Sequence, residues 1–517
     1  MPMRLRAGLL AAALVLLATP APSLAADAPP TPQAPCGPGS RPEPDIQGRF
    51  PAAEFADGSY VKGHYCNATE LGRFGEAGGY RVERFVDRAG HECAYYDSSL
   101  LFPRDATQPN GPGVYVLDMA DPARPVLTAT LTTPAMLSPH ESMRVNQTRG
   151  LIAAGQGSPG TAPGFVDIYD LNDDCRDPIL RASTPMGIFG HESAFAPDGK
   201  TFYVTGTAAP TLVAVDLTDP TLPRPAWVTF GRNFHGMSIS DDGNTLYGAD
   251  NSVGRRGLTI LDVTQVQQRA LNPSVTEISH LTWDSVSIPQ NTDPITIKGH
   301  PYLVEIDEFS ANTLNGDPRY NPATKVGAGR IIDIADPAKP VVISELRLEV
   351  HNTEARAGES RNDPGAQSSA QWYNGHYCSV PKRVDPTVIA CSMIVSGLRL
   401  FDISNPHRPV EVGYFNKPSA DGGYAMSAPA YVEDRNEVWY TDGNTGFFAL
   451  RLSGPARLTV PKSAAPTQPA IARPQPGGGG VDRPLAATGP QVWLAALGGL
   501  LAVGGMLALR RRRRRRS

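Results

Sequence analysis

Short apolar stretches alternate with turn-forming residues along most of this 517-residue chain. Between residues 60 and 453, β-branched and aromatic residues occur in runs bounded by Pro, Gly, Asp and Asn, whereas apolar positions with a 3.6-residue period are scarce. Runs of this kind are typical of strands joined by tight turns. The pattern therefore predicts an all-β domain over 60–453.

One strand recurs along this domain, apolar on both faces and usually ending in Asp, as in "GRIIDIADPAKP". A strand without a polar face must be covered on both sides. We expect its terminal Asp to accept hydrogen bonds from the backbone of the turn that follows. Seven copies are present, at 113–125, 164–178, 211–225, 257–265, 329–340, 397–409 and 446–454.

A hairpin precedes most of these copies, and a more polar strand follows them. "GHESAFAPDGKTFYVTG" (190–206) and "FHGMSISDDGNTLYGAD" (234–250) are two strands around an Asp-Gly turn. Each unit thus has four antiparallel strands, and seven units predict a seven-bladed β-propeller. "CNATELGRF" (66–74) is similar to the outer strand "PVEVGYF", so we expect it to complete the last blade and close the ring.

The repeats resemble those of the LVIVD-repeat propeller family. "VYVLDMADPARPV", "RIIDIADPAKPV" and "LRLFDISNPHRPV" carry the resemblance, which covers most of residues 79–453. It implies the propeller fold and no particular reaction, because propellers serve many unrelated functions.

The N-terminus has the layout of a secretory signal peptide. Arg4 and Arg6 precede an apolar run at 7–18, and small residues lead to Ala25, so we expect residues 1–25 to be removed. Two further segments lack apolar periodicity: a Pro-rich extension at 26–59 and a Pro- and Gly-rich flexible stalk at 454–484.

The C-terminal segment, 485–517, has the layout of a cell-wall sorting signal. Leu485, Ala486, Ala487, Thr488 and Gly489 resemble the L-A-x-T-G variant of the sortase motif of Gram-positive actinobacteria. The resemblance implies a sortase as processing partner, cleavage after Thr488 and attachment to the cell wall. An apolar span at 491–509 and seven arginines follow. The alternative is an uncleaved membrane anchor with the propeller facing outward.

Removing both ends changes the net charge of the chain. Two of its 47 basic residues lie in 1–25 and seven in 485–517, and neither end contains an acid. The remaining part has 38 basic and 51 acidic residues, a net charge of −13. This argues against nucleic acid or an anionic lipid surface as a partner, so membrane contact is expected only through the C-terminal span.

The six cysteines favour up to three disulfides in an exported chain. Cys378 and Cys391 occupy facing positions of a predicted hairpin and should pair. For the other four we predict the pairs Cys66–Cys93 and Cys36–Cys175.

Aligned first strands place several histidines at one level of the channel. In the fifth blade the segment "WDSV" (283–286) aligns with this position and places Asp284 beside the histidines. Imidazoles with a carboxylate suit Zn²⁺ or copper. Alternatively, these side chains only line a wet channel, and strand alternation predicts that Glu141 and Glu192 point away from them. The candidate ligands are His140, His191, His235 and His376.

Two weaker candidates lie near long inserts. Glu305, Asp307 and Glu308 cluster in "YLVEIDEF" and could hold Ca²⁺, or could form a solvated acidic strand end. The insert at 351–376 is a candidate binding surface, since long inserts on rigid scaffolds carry specificity. Its candidate residues are His351, Glu354, Arg356, Trp372 and Tyr373.

These patterns predict a secreted, wall-anchored propeller that acts as a binding platform for an extracellular protein or glycan. The first alternative is a metal-dependent extracellular enzyme, a hydrolase or an oxidoreductase, that uses the channel histidines. The second is a structural protein of the cell envelope. No P-loop, G-x-S-x-G or H-E-x-x-H motif is present in the sequence.

Overall fold

The computed structural model describes residues 27–98, 113–157, 162–207, 209–309, 325–367, 373–420 and 422–458. These residues form seven small antiparallel sheets, six of four strands and one of five. In each sheet, neighbouring strands are hydrogen-bonded in the order of a blade. The predicted seven-bladed β-propeller is thereby confirmed.

The strands are numbered along the chain, and β1 (His64–Cys66) and β2 (Ala68–Phe74) precede those of blade one. Blade one contains β3 (Val82–Val86), β4 (Glu92–Asp97), β5 (Val114–Asp118) and β6 (Val126–Leu131). Blade two contains β7 (Arg144–Asn146), β8 (Leu151–Gly155), β9 (Val166–Asp170) and β10 (Ile179–Thr184). Blade three contains β11 (Glu192–Phe195), β12 (Thr201–Gly206), β13 (Thr211–Asp216) and β14 (Arg224–Phe230). Blade four contains β15 (Phe234–Ile239), β16 (Thr245–Asp250), β17 (Gly257–Asp262) and β18 (Thr276–Leu281).

Blade five is built like the first four, whereas blades six and seven each include a strand from the N-terminal part of the chain. Blade five contains β19 (Ile288–Ile297), β20 (His300–Glu308), β21 (Gly329–Asp333) and β22 (Val341–Leu346). Blade six contains β23 (Tyr377–Ser379), β24 (Val388–Ser392), β25 (Leu398–Asp402) and β26 (Val410–Asn416), with β1 (His64–Cys66) outside them. Blade seven contains β27 (Ala430–Val432), β28 (Glu437–Asp442) and β29 (Gly446–Leu452), and β2 (Ala68–Phe74) is its outer strand.

The recurring Asp has the predicted role in the turn after the third strand. Its carboxylate accepts a hydrogen bond from the backbone N–H two residues later, at 2.8–3.0 Å, in six blades. In all seven blades the pairing between the third strand and the outer strand also contains a register shift, as at a β-bulge. Such bulges increase twist, which suits blades packed around an axis. The six Asp residues are Asp118, Asp170, Asp216, Asp262, Asp333 and Asp402.

The ring closes through the N-terminal part of the chain, as predicted. β2 pairs with β29 from Ala68 opposite Leu452 to Phe74 opposite Phe447. The strand β1, which pairs with β26, was not predicted. The preceding extension is held on the propeller as well: the Thr31 N–H donates to the Arg347 carbonyl at 2.7 Å.

Helices are few and short among the described residues. They are α1 (Ala52–Ala56), α2 (Thr264–Gln267) and α3 (Thr353–Ala357), with single 3₁₀ turns elsewhere. Within the described ranges no helix is long and apolar enough to cross a membrane. The predicted signal peptide, most of the stalk, and the sorting signal with its span lie outside the described residues.

Three disulfides connect the six cysteines, and one of the three predicted pairs is confirmed. Cys378–Cys391 joins facing positions of β23 and β24. The predicted pairs Cys66–Cys93 and Cys36–Cys175 are wrong, because Cys66 lies on β1 in blade six while Cys93 lies on β4 in blade one. The bonds formed are Cys36–Cys66, which connects the N-terminal extension to β1, and Cys93–Cys175, between blades one and two.

Candidate metal centre

The four predicted histidines lie together at one end of the channel. His191 and His376 directly precede the innermost strands of their blades, and His235 is the second residue of its strand. His140 lies four residues before β7. Because the first strands of all blades run in the same direction, their starting residues meet at the same end of the channel. Asp284, predicted to join them, is instead exposed, since the first strand of blade five begins only at Ile288.

Three imidazoles surround one oxygen of Glu141. Oε2 of Glu141 lies 3.2 Å from His191 Nε2, 3.4 Å from His235 Nε2 and 3.7 Å from His140 Nδ1. The two Nε2 atoms of His191 and His235 are 2.9 Å apart. This carboxylate is therefore the centre of the histidine cluster.

The prediction that Glu141 points away from the histidines is wrong. His140 has a φ of +53°, and the chain does not yet form a strand at 140–141. The side-chain alternation of a strand therefore does not apply there. Glu192 lies within β11 and does point away, toward the guanidinium groups of Arg81 and Arg144.

His376 contacts the other oxygen of Glu141. Its Nε2 lies 3.3 Å from Glu141 Oε1 and 3.5 Å from Glu308 Oε1. Glu308 ends β20, the second strand of blade five, and its Oε2 lies 3.5 Å from His235 Nδ1. Blade five thus contributes a carboxylate at the level where other blades contribute histidines.

Blades one and seven contribute tyrosines, which sequence analysis did not identify. Tyr80 stacks on His140 with ring centroids 4.4 Å apart, and Tyr80 and Tyr424 are both buried. The sequence does contain a signal for them: in four blades an aromatic or imidazole ring directly follows a glycine at the same point of the repeat. The four pairs are Gly79-Tyr80, Gly190-His191, Gly375-His376 and Gly423-Tyr424.

Arg81 lies beside this cluster and contacts both glutamates of the His-Glu pairs. Its Nε–H donates to the backbone carbonyl of Glu141, and Nη2 binds the carboxylate of Glu192. Gly236, next to His235, leaves room for this arrangement, because a Cβ there would collide with Glu192 Oε2. Arg81 therefore holds the backbone at Glu141 beside Glu192, and Gly236 leaves the space that the Glu192 carboxylate occupies.

Burial and neighbouring charges shift the pKa values of the cluster. Burial lowers the pKa of His140 well below its usual value, and His191 adds to the effect. Burial acts in the same direction on His376, but the facing carboxylates of Glu141 and Glu308 raise its pKa to about 9. Burial alone would raise the pKa of Glu141, yet His235, His140 and His191 hold it well below the ordinary range. These shifts favour an ionised Glu141 and a protonated His376, and they disfavour protonation of His140.

Several nitrogen atoms of the cluster are buried without a hydrogen-bond partner among the described residues. They are Nδ1 and Nε2 of His140, Nδ1 of His235 and Nε2 of His376. Buried polar atoms are normally paired, because leaving one unpaired costs about 1–3 kcal/mol. The His191 side chain is 14% exposed, so the cluster is accessible from solvent.

The spacing of the donor atoms fits one metal ion. Bonds of about 2.0–2.2 Å to nitrogen and oxygen place tetrahedral ligand atoms about 3.3–3.6 Å apart. Glu141 Oε2 lies 3.2–3.7 Å from the three imidazole nitrogens, and the Nε2 atoms of His191 and His235 are 2.9 Å apart. His140, Glu141 and His191 alone already offer ligand atoms within 4.8 Å of one another. Imidazole nitrogen and carboxylate oxygen are donors that suit zinc and copper.

The acidic cluster of blade five divides between two environments. Glu305 and Asp307 bind Arg330, which is fully buried beside them. Asp307 also accepts a hydrogen bond from Trp283 Nε1 at 3.0 Å. Glu308 alone faces the channel. The three residues predicted as a Ca²⁺ site therefore do not converge on one point.

The structure places most of the predicted binding residues of the 351–376 insert in the interior. His351, Arg356 and Tyr373 are buried, and only Glu354 is exposed. The Tyr373 hydroxyl donates to Asp363 at 2.8 Å and accepts from the Phe50 N–H at 3.1 Å. These side chains attach the insert to the N-terminal extension. Trp372 lies outside the described residues.

Comparisons with solved structures found similar chains at low sequence identity. No family model and no curated protein matches the sequence. Among solved structures, the chain is similar to the hydrazine synthase of Kuenenia stuttgartiensis, with 13% identity and a TM-score of 0.48 over 74% of this chain and 97% of that one. A putative 6-phosphogluconolactonase from Bacteroides fragilis is similar over 71% and 97% of the two chains, with 10% identity and a TM-score of 0.44. Similarity at this level carries no information about the site.

Proposed function

We propose that the His-Glu cluster binds a divalent transition metal, zinc or copper, and that the protein is an extracellular metal-dependent enzyme acting on a small molecule. The observation that carries this proposal is the arrangement of His140, His191 and His235 around one oxygen of Glu141. Bound zinc would supply a Lewis acid for hydrolysis, and bound copper would supply a redox centre.

The alternative, histidines that only line the channel, accounts less well for the contacts. Structural histidines are expected to donate to, or accept from, a fixed partner. Here both ring nitrogens of His140 and one each of His235 and His376 are unpaired within the described structure. A cation beside Glu141 Oε2 would provide the missing partner for Nδ1 of His140, which lies 3.7 Å from that oxygen.

Metal analysis of the purified protein tests the proposal. After chelation and reloading with zinc or copper, we expect at least one tightly bound ion per chain. His191→Gln and His235→Gln should lose this ion. His300→Gln is the matched control, because His300 is partly exposed and pairs with Asp333 at 2.8 Å, away from the cluster. No retained metal in the reloaded wild-type protein would overturn the proposal.

We also propose that the protein works outside the cell, attached to the wall. Three disulfides are typical of an oxidising compartment, which supports export. The predicted signal peptide and sorting signal point the same way. Changing Thr488 to Ala should shift the protein from the wall fraction to the membrane or medium, and unchanged wall attachment would contradict sortase processing.

A binding platform for an extracellular protein or glycan is the second candidate function. The propeller fold is compatible with such a role, and the 351–376 insert is anchored through buried residues while exposing Glu354. Partner capture that Glu354→Arg abolishes, with metal content unchanged, would favour this candidate. Capture unaffected by Glu354→Arg would argue against this part of the insert as the docking surface.

A further inference from the structure

The two oxygens of Glu141 face two different sets of donors. Oε2 faces His140, His191 and His235, whereas Oε1 lies 3.3 Å from Nε2 of His376. A carboxylate with separate ligand sets on its two oxygens is a geometry in which it can bridge two metal ions, which in proteins lie about 3.5–4 Å apart.

Glu308 supplies a second carboxylate on the His376 side. Its Oε1 lies 3.5 Å from His376 Nε2, and the residue is 7% exposed. Glu141 Oε1 and Glu308 Oε1 therefore share His376 Nε2 as a neighbour, whereas the other three histidines lie around Glu141 Oε2. The separations of 3.3 and 3.5 Å again match neighbouring ligands of one ion, about 3.3–3.6 Å apart.

A hydrogen bond from His376 Nδ1 to the backbone determines the tautomer of the ring, and so which nitrogen has a free lone pair. Nδ1 lies 2.5 Å from the carbonyl oxygen of Met426. A carbonyl only accepts, so Nδ1 carries the hydrogen. In the neutral ring Nε2 therefore presents a lone pair toward Glu141 and Glu308. Metal-binding histidines are oriented in the same way, with the other ring N–H on a backbone carbonyl.

Glu141 Oε1, Glu308 Oε1 and the lone pair of His376 Nε2 repel one another in this buried space unless a proton or a metal ion lies between them. Nε2 of His376 is unpaired within the described structure, and the residue is fully buried. We propose that a second divalent ion binds between Glu141 Oε1, Glu308 Oε1 and His376 Nε2, so that Glu141 bridges two metal ions. This rests on the proposed function, since the first ion occupies the other side of Glu141.

The stoichiometry of metal binding tests the second ion separately from the first. After chelation and reloading with zinc, the wild-type protein should retain two ions per chain, and Glu308→Gln and His376→Gln should each retain one. Glu76→Gln, at an exposed glutamate with no role in the proposed sites, is the charge-matched control and should retain two. One ion in both wild type and Glu308→Gln would overturn the second site, with a proton on His376 filling its place, and leave the first intact. No ion in either would overturn both.

Copper provides a readout that does not depend on counting ions. Two Cu²⁺ ions bridged by Glu141 should couple magnetically, so the wild-type protein should give much less electron paramagnetic resonance signal than its copper content predicts. Glu308→Gln should give the full signal of one isolated Cu²⁺. If Glu308→Gln does not fold, His376→Gln provides the same comparison. A full uncoupled signal from wild-type protein holding two copper ions would contradict the bridge.

Discussion

Two glutamates at equivalent points of neighbouring blades have opposite surroundings. Glu141 and Glu192 both follow a histidine, yet Glu192 binds the guanidinium groups of Arg81 and Arg144, whereas Glu141 faces imidazoles. Guanidinium groups stay charged, so the charge of Glu192 has a permanent counterpart. An imidazole is cationic only after it binds a proton. A neutral imidazole can instead bind a metal ion, which then supplies the positive charge. The difference separates a carboxylate that stabilises the fold from one suited to bind an ion.

The largest expected effect is on stability, at the arginine-paired glutamate. Glu192→Leu would leave the buried Arg81 without its carboxylate partner, and breaking a buried ion pair in this way typically costs about 3–5 kcal/mol. We expect a decrease of that size in the free energy of unfolding of the metal-free protein, measured by denaturant titration. The exposed Glu354→Leu should change it by less than about 0.5 kcal/mol. A decrease below 1 kcal/mol for Glu192→Leu would show that the ion pair does not stabilise the fold.

The next largest effect is the gain in stability on zinc binding, which should depend on Glu141. A ligand at 100 times its dissociation constant stabilises the native state by about 2.7 kcal/mol. We expect wild-type protein to gain about this much on saturation with zinc, and Glu141→Gln to gain none at the same zinc concentration. Thermal unfolding with and without zinc measures both. Equal gains in the two proteins would place the bound metal away from Glu141.

A smaller effect is expected from the ring that packs on His140. Tyr80→Leu removes a stack with a centroid distance of 4.4 Å, a contact of about 0.5–1.5 kcal/mol. Zinc affinity should fall by several-fold, because His140 loses the surface that orients it. Phe74→Leu removes an aromatic contact with Tyr115 in the outer part of the ring of blades. It should leave zinc affinity unchanged, and an equal loss in both variants would show that the effect is general destabilisation.

Much of the fold could be predicted because its repeat is local. The apolar third strand, the Asp of the following turn and the Asp-Gly hairpins are each specified within about fifteen residues, and together they define a blade. The convergence of four histidines followed from aligning the blades. Closure by β2 was predictable for the same reason, since its sequence is that of an outer strand.

The remaining features depend on contacts between distant segments. Glu141 turns toward the histidines because His140 adopts a positive φ, which strand alternation does not anticipate. Glu308 reaches the cluster from the second strand of blade five, so alignment of first strands selected Asp284 instead. The pairing of Cys36 with Cys66 depends on where the N-terminal extension docks, which no local pattern specifies.

Anomalous diffraction from crystals grown with zinc tests the central claim most directly. The account predicts a strong peak bonded to Glu141 Oε2 at about 2.0–2.2 Å, with imidazole nitrogens of His191 and His235 in the same coordination shell. No peak is expected at Glu192. Full zinc loading with no peak at Glu141, or with peaks only at other groups such as Asp87, His91 and Asp174, would contradict it.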